Sequence, residues 1–279
     1  MLLREAATGR GGRGEERPTL KYIGSANSDD LRISKNCFSL NVSLKFSEQS
    51  LKLVGFSGSP YVARARVALN LKQIDYEFVV EEFGKKSQLL IQSNPVYKKV
   101  PVLIHRGNPI SESLVILHYI DEVWAAAGPP ILPADPYDRA TARFWAAYID
   151  DKLPSQSSVL FIDQADEAVK EEAKIKLVRV LEPLEEVFKK CSGRNRFFGG
   201  DTIGYIDIAL GSYLGWIKAL EIIAGIKLLD EAEIPRLVEW ADCFCSSDAV
   251  KGVIDVTEMV EFIKLTRSLI QGAANSPSN

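Results

Sequence analysis

Apolar positions along this 279-residue chain change rhythm near residue 50 and again near residue 130. Before Leu51 they show no sustained period, and Arg4, Arg10, Arg13 and Arg17 sit among Gly, Ser and Thr. Such a stretch buries little apolar surface, so residues 1–49 are expected to be a disordered N-terminal extension. From Leu51 the pattern becomes regular. Leu51 to Phe56 is a short apolar run that predicts a strand, Ser57-Gly58-Ser59 a turn, and Pro60 to about Leu71 a helix. Proline suits the first helical position, where its missing N–H has no helical partner to lose. Val62, Val67, Ala68 and Leu71 supply one buried face for that helix, and Asp75 to Val80 reads as a second strand.

A second helix is expected over about Lys86 to Gln92. Val100 to Ile104, a turn at Arg106-Gly107-Asn108, and Pro109-Ile110 then predict a hairpin. Ser111 is placed to cap the next helix, on which Leu114, Leu117, Ile120 and Trp124 recur at helical spacing before Gly128-Pro129-Pro130 ends it. The order βαβ then ββα is that of a thioredoxin-like half.

Residues 128–136 hold four prolines and read as a linker. Beyond it the chain shows only helical patterns: Tyr137 to Phe161, Ala165 to Lys190, Tyr205 to Ile223, Pro235 to Cys245 and Val256 to Ile270. Leu177, Leu181, Leu184 and Phe188 mark a core-facing stripe on the second of these. The expected fold is therefore α/β plus all-α: a thioredoxin-like domain over 50–127, a helical domain over 137–271 and a flexible tail over 272–279.

Composition narrows the function. A net charge of −3, from 34 basic and 37 acidic residues, gives no polyelectrolyte field for nucleic acid or anionic lipid. Cys37, Cys191, Cys243 and Cys245 lack zinc or redox spacing, which fits a reducing intracellular compartment. With no membrane-length apolar run and no secretory signal pattern, the expectation is a cytosolic protein without membrane or nucleic-acid partners. The alternative is a plastid protein if residues 1–49 are a transit peptide, although Glu5, Glu15, Glu16, Asp29 and Asp30 are acids that such peptides avoid.

Three places carry candidate chemistry. Ser59 stands where a strand turns into a helix, beside N–H groups without helical partners; it could cap the helix or stabilise an anion such as a thiolate. Taken by itself, the position favours the cap. At Lys98-Lys99-Val100-Pro101 the Val100-Pro101 bond is of the kind that can be cis. Val100 could then pair its backbone with an extended peptide while Lys99 meets a carboxylate, or the segment could be an ordinary turn. Glu112-Ser113, at the start of a helix, could hold an amino-acid head group or simply begin the helix. His105 and His118 are thirteen residues apart, too sparse for a metal site or a catalytic triad, and no metal is expected.

Taken in order, Ser59-Pro60, Asn94-Pro95-Val96-Tyr97-Lys98-Lys99-Val100-Pro101-Val102-Leu103 and Ile110-Ser111-Glu112-Ser113-Leu114 resemble the glutathione-binding series of plant tau-class glutathione transferases. The likeness continues through Tyr119 to Trp124, Leu132 to Tyr137, Ala142 to Trp145 and Gly199 to Ala209, and covers about residues 51–270. It implies that Ser59 is catalytic, hydrogen-bonding the sulfur of glutathione as co-substrate. Lys86 and Lys99 would meet the glycine carboxylate, Val100 the cysteine backbone, and Glu112 and Ser113 the γ-glutamyl head group. It further implies conjugation of hydrophobic electrophiles in detoxification, peroxidase side activity, and a homodimer in which one subunit's first domain meets the other's helical domain. The electrophile cleft would be lined by Tyr61, Trp216 and Phe262.

The chain departs from the tau pattern at Ser57, at Gly58, where a different small residue or proline is common, and at Gly204. Ser57 stands where the pattern has Trp, which predicts a wider or more polar electrophile pocket. Gly204 replaces the usual Ser or Thr of a capping box, while Asp207 keeps its acid, so the helix start is expected to survive at small cost. Two other readings compete. A non-catalytic carrier of apolar ligands shares this fold, whereas a thiol-disulfide reductase needs a cysteine where Ser57 or Ser59 stands.

Overall fold

The computed structural model describes residues 50–82, 84–157, 166–192 and 195–274. Expectations for residues 1–49, for the helix ends between 158 and 165, and for 275–279 lie outside the described residues. The first half comprises β1 (Leu51–Gly55), α1 (Pro60–Leu71), β2 (Glu77–Val80), α2 (Gln88–Ser93), β3 (Val102–His105), β4 (Asn108–Ser111) and α3 (Ser113–Val123). Its strands form one sheet in the order β2-β1-β3-β4. β1 and β2 are parallel, as a helical crossover requires, and the other two pairings are antiparallel. A two-residue turn at Arg106 and Gly107, both at positive φ (53° and 77°), closes the β3–β4 hairpin, the conformation that matches strand twist.

Leu51, Leu53 and Leu103 pack into the main core with α1 and α3, while Val54 and Val102 meet Leu90 on the other side of the sheet. Several local expectations shift. β2 begins at Glu77 rather than Asp75. α2 begins at Gln88 rather than Lys86, because the Ser87 hydroxyl caps it by accepting the Leu90 N–H at 3.0 Å. Lys86 is thereby left in the loop. Ser111 does not cap α3: it ends β4 opposite Val102, and Glu112 takes the N-cap position at φ 73°. Nor does α1 bury one face alone. Pro60, Val62, Ala63, Arg64, Ala65, Val67, Ala68 and Leu69 are all buried, because the helix lies between the sheet and the helical half.

The second half comprises α4 (Pro136–Ser157), α5 (Glu167–Ser192), α6 (Tyr205–Gly211), α7 (Leu214–Ala224), α8 (Pro235–Cys245) and α9 (Val256–Ala274). Leu177, Leu181, Leu184 and Phe188 form the expected buried stripe on α5. The single helix expected over Tyr205 to Ile223 is instead two. The Ala209 carbonyl, which would accept the Tyr213 N–H in a continuous helix, accepts the Arg64 guanidinium at 3.1 Å and the Ser212 hydroxyl at 3.0 Å. Tyr213 N–H turns to Leu210 instead. α9 runs on through Gly272 to Ala274, since one glycine costs a helix only about 1 kcal/mol.

Asp207 is fully buried and accepts the N–H groups of Phe198, Gly199 and Gly204 and the Trp240 indole N–H. Burial pushes its carboxyl up to about 6 against those four donors. Gly204 supplies no capping hydroxyl, but a Cβ there would lie 3.0 Å from the Gly199 Cα, so glycine permits the two backbones to close.

Arg64 has no solvent exposure and binds Asp150 of α4 through both guanidinium ends, at 2.9 and 2.5 Å. It also donates to Ser113, Ser212 and Ala209. Burial works against its charge, and the hydrogen-bonded Asp150 more than restores it, so the guanidinium titrates above its ordinary value. Removing one partner of a buried pair leaves a desolvated charge, so Asp150→Leu is expected to lower unfolding free energy by about 3–5 kcal/mol. Urea denaturation at fixed protein concentration measures it, and a loss near zero would refute the assignment.

Asp121 of α3 meets the buried Lys72 ammonium at 2.8 Å and accepts the N–H groups of Ile131 and Leu132. Burial favours its neutral form, but the Ile131 N–H, Lys72 and the Leu132 N–H outweigh it and hold the carboxyl below its ordinary 3.8. A carboxyl depressed by folding stabilises the native state above its unfolded value, and that contribution disappears as pH falls through the lower, folded value. Asp121→Asn should therefore be less stable than the native chain at pH 7 and should flatten the stability loss below about pH 4. Thermal melts from pH 7 to pH 3 follow the difference, and parallel curves would contradict it.

Candidate functional site

β1 ends at Gly55, where a Cβ would lie 2.7 Å from the Val62 side chain, so the strand passes close under the start of α1. The chain then turns, with Ser59 N–H bonded to the Phe56 carbonyl, and enters α1 at Pro60. Ser59 is buried in an extended conformation, and its Oγ accepts the Val62 N–H at 3.4 Å. The cap expected from sequence is present, though long. A hydroxyl accepting a backbone N–H still has its own proton to donate, so the cap leaves Ser59 able to donate toward an anion at the helix start.

A cleft of about 450 Å³ opens in front of it. Ser59, Lys86, Lys99 and Val100 line it, and so do Tyr61, Trp216 and Phe262. Seven sequence-predicted residues from five separate stretches therefore meet at one surface. The Val100-Pro101 peptide bond is cis. Asn94, which caps the end of α2, accepts the Tyr97 N–H and donates to the Lys99 carbonyl at 3.0 Å, tying the Pro95–Lys99 turn down beside the cleft.

Glu112 and Ser113 are not among the lining residues. They follow β4, in which Ser111 pairs with Val102; Ser113, which opens α3, lies two residues beyond Ser111, and Val100 lies two residues before Val102. Ser113 is buried, and its hydroxyl accepts from Arg64 at 3.2 Å. Glu112 is exposed, in a positive-φ conformation that few non-glycine residues adopt and that clusters at functional sites.

The apolar side of the cleft comes from both halves. Tyr61 packs edge-on against Tyr213, whose hydroxyl donates to Asp150 at 3.1 Å, so this wall stands on the Arg64–Asp150 pair. Burial raises the Tyr213 hydroxyl well above the ordinary tyrosine range, keeping it neutral. Phe262 of α9, also at the cleft, packs tilted against Phe56 with ring centroids 5.1 Å apart. Ser57 lines an open hollow with Glu258, Glu261 and Leu265 that adjoins this cleft and shares Phe56, Gly58 and Phe262 with it. The residue replacing the expected Trp thus adds its polarity on the side facing α9.

Sequence reasoning missed Arg64, Asp150, Tyr213 and Glu81. An arginine between Ala63 and Ala65, in a helix whose other polar side chains are Arg66 and Asn70, was the one available signal. The two histidines have tyrosine partners: His105 Nδ1 lies 2.8 Å from the Tyr119 hydroxyl and His118 Nε2 2.9 Å from that of Tyr205. Among the described residues no group of three or more His, Cys, Asp or Glu could hold a metal. A second cleft, about 500 Å³ and bordered by Ile131 to Ala134, Cys191 and Gly199, contains none of the predicted site residues.

Family models for the glutathione S-transferase N-terminal and C-terminal domains match residues 49–122 and 123–248. Glutathione S-transferase U18 of Arabidopsis thaliana is 50% identical over 220 residues, covering 77% of this chain and 95% of the relative. The tau-class glutathione S-transferase of mango, Mangifera indica, superposes with a TM-score of 0.73 at 49% identity, covering 77% of this chain and 98% of that one. Rice GST1, solved in complex with glutathione, gives 0.71 at 34% identity over 80% and 98% of the two chains. With both domain models matched in order, and relatives sharing half their residues with it, the chain belongs to the tau class of the glutathione S-transferase family.

Proposed function

We propose that this chain is a glutathione transferase in which Ser59 stabilises the thiolate of bound glutathione for attack on hydrophobic electrophiles. One observation carries the reading: a hydroxyl at the start of α1 lines a cleft that both lysines and aromatic rings also line. A free thiol, with pKa near ~8.5, is mostly protonated at neutral pH; a donated hydrogen bond and the positive end of a helix both favour the thiolate. Lys86 and Lys99 meet the glycine carboxylate, Val100 pairs through its backbone with the cysteine, and Ser113 with Glu112 takes the γ-glutamyl head group. The electrophile enters against Tyr61, Trp216 and Phe262. With an aryl halide, the C–S bond forms as the halide leaves, and the thiol proton passes to solvent. With a hydroperoxide, two glutathiones yield the disulfide, an alcohol and water.

The decisive assay is conjugation of glutathione to an aryl halide. Ser59→Ala is expected to lower kcat/KM about a hundredfold, the scale for losing one preorganised donor to a developing anion. Its activity should also climb to higher pH as the bound thiol returns toward its free value. Equal turnover by both proteins would sink the catalytic role of Ser59, and no turnover above background by the native chain would leave an apolar-ligand carrier.

The chain is proposed to act as a cytosolic homodimer. No described helix is long and apolar enough to cross a membrane. Val96 and Tyr97, in the turn after α2, expose 77% and 59% of their surface, and Tyr137 and Phe144 of α4 expose 78% and 60%. Apolar side chains this open, on both halves of the fold, suit a two-fold contact in which each half meets the other subunit's opposite half. Light scattering should give twice the chain mass, and Tyr97→Asp should shift it toward the monomer; a native chain that runs as a monomer refutes the contact.

A further inference from the structure

One acid in the cleft has no part in the chemistry described so far. Glu81 follows the last residue of β2, and its N–H bonds the Gly55 carbonyl at 2.8 Å, continuing the β1–β2 pairing by one step. Its side chain is only 6% exposed, yet it borders the same cleft as Ser59, Lys86 and Lys99. Both carboxylate oxygens go to one residue across the loop: Oε2 accepts the Ser87 N–H at 3.1 Å and Oε1 the Ser87 hydroxyl at 2.5 Å. The same hydroxyl accepts the Leu90 N–H and so caps α2. Leu90 in turn is buried against Val54 and Val102.

A carboxylate taken out of water at this position is expensive unless its partners repay it, and α2 needs only the serine to be capped. The acid does something further: it fixes the end of the loop to the end of β2. Lys86 is the residue immediately before Ser87, exposed and with four side-chain torsions to order. Its backbone origin is set by the Glu81–Ser87 clamp, with Gly84 at φ 83° supplying the reversal earlier in the loop.

We propose that Glu81 is a positioning residue for glutathione binding: by clamping Ser87 it holds Lys86 at the mouth of the cleft, where the lysine meets the carboxylate at the glycine end of the substrate. The inference rests on the proposed role of Lys86. Glu81 touches neither the sulfur nor the electrophile, so it acts on binding of the tripeptide and not on ionisation of the thiol. Ordering a lysine in advance lowers the entropic cost of the ion pair, which would otherwise be met on binding.

The test compares Glu81→Ala, Glu81→Gln and Lys86→Ala with the native chain in steady-state conjugation, using glutathione and, in parallel, γ-glutamylcysteine, which has no glycine carboxylate. Glu81→Ala should raise KM for glutathione roughly five- to tenfold, the scale of immobilising one rotamer-rich side chain on binding. Glu81→Gln, which keeps one acceptor, should show roughly a threefold rise. In both, kcat at saturating glutathione and its pH profile should stay native, and with γ-glutamylcysteine the variants and the native chain should have equal KM. Glu81→Gln preserves the shape of the loop and keeps the comparison open if the alanine variant does not fold. An unchanged KM in folded Glu81 variants, or an equal loss with both thiols, overturns the inference while Lys86→Ala remains selectively impaired. A Lys86→Ala variant without a selective loss for glutathione removes the anchor itself, and the inference with it.

Discussion

Arg64 is the charge around which the two halves of the protein are built. It sits in the middle of α1, which is buried almost all round, and reaches α3 through Ser113, α4 through Asp150 and the α6–α7 junction through Ala209 and Ser212. A guanidinium has five N–H donors and no acceptor, so burying it is tolerable only where several acceptors converge. That requirement fixes how α1, α3, α4 and α6 can sit together. It also breaks a helix, because the Ala209 carbonyl serves Arg64 and Ser212 instead of the Tyr213 backbone. Tyr213, freed from a continuous helix, donates its hydroxyl to Asp150 and stands as a cleft wall against Tyr61.

Elsewhere the same device recurs with the sign reversed. Asp121, Glu185 and Asp207 are acids that accept backbone N–H groups from other segments: Ile131 and Leu132, Arg236 and Leu237, and Phe198 and Gly199. Each satisfies N–H groups at a helix start or loop that would otherwise be buried without partners. Glu81 with Ser87 is the small version of this arrangement at the edge of the cleft. Carboxylates thus help to hold these loops in place, and Glu81 does so at the edge of the cleft.

Ser59 shows why cap and catalyst need not be alternatives. A hydroxyl carries one donor and two acceptor sites. Accepting from Val62 orients the oxygen at the helix start, and the remaining proton is then available to a sulfur in the cleft. The helix end that needs the cap is also the source of the positive field that favours an anion there. At Glu112 the N-cap side chain makes no capping bond, the backbone sits at positive φ and the residue is exposed.

The strands and most helices were legible in the sequence because each depends on local rules: apolar runs bounded by glycine and proline, and the leucine stripe of α5. Ser59, Lys99 and Val100 were each ambiguous alone and became one site only as an ordered set, since a tripeptide needs several anchors at once. Local rules failed where a distant group intervened. Capping chemistry favoured Ser111 at the start of α3, but pairing with Val102 drew it into β4. Periodicity joined α6 to α7, but Arg64, nearly 150 positions earlier, took the carbonyl that would have joined them. The sequence by itself determined most of the elements, their order and the residues proposed to bind the ligand. The tertiary structure alone decided which buried charges would meet, because a charge removed from water takes whichever partners the packed fold brings within reach, at any separation along the chain.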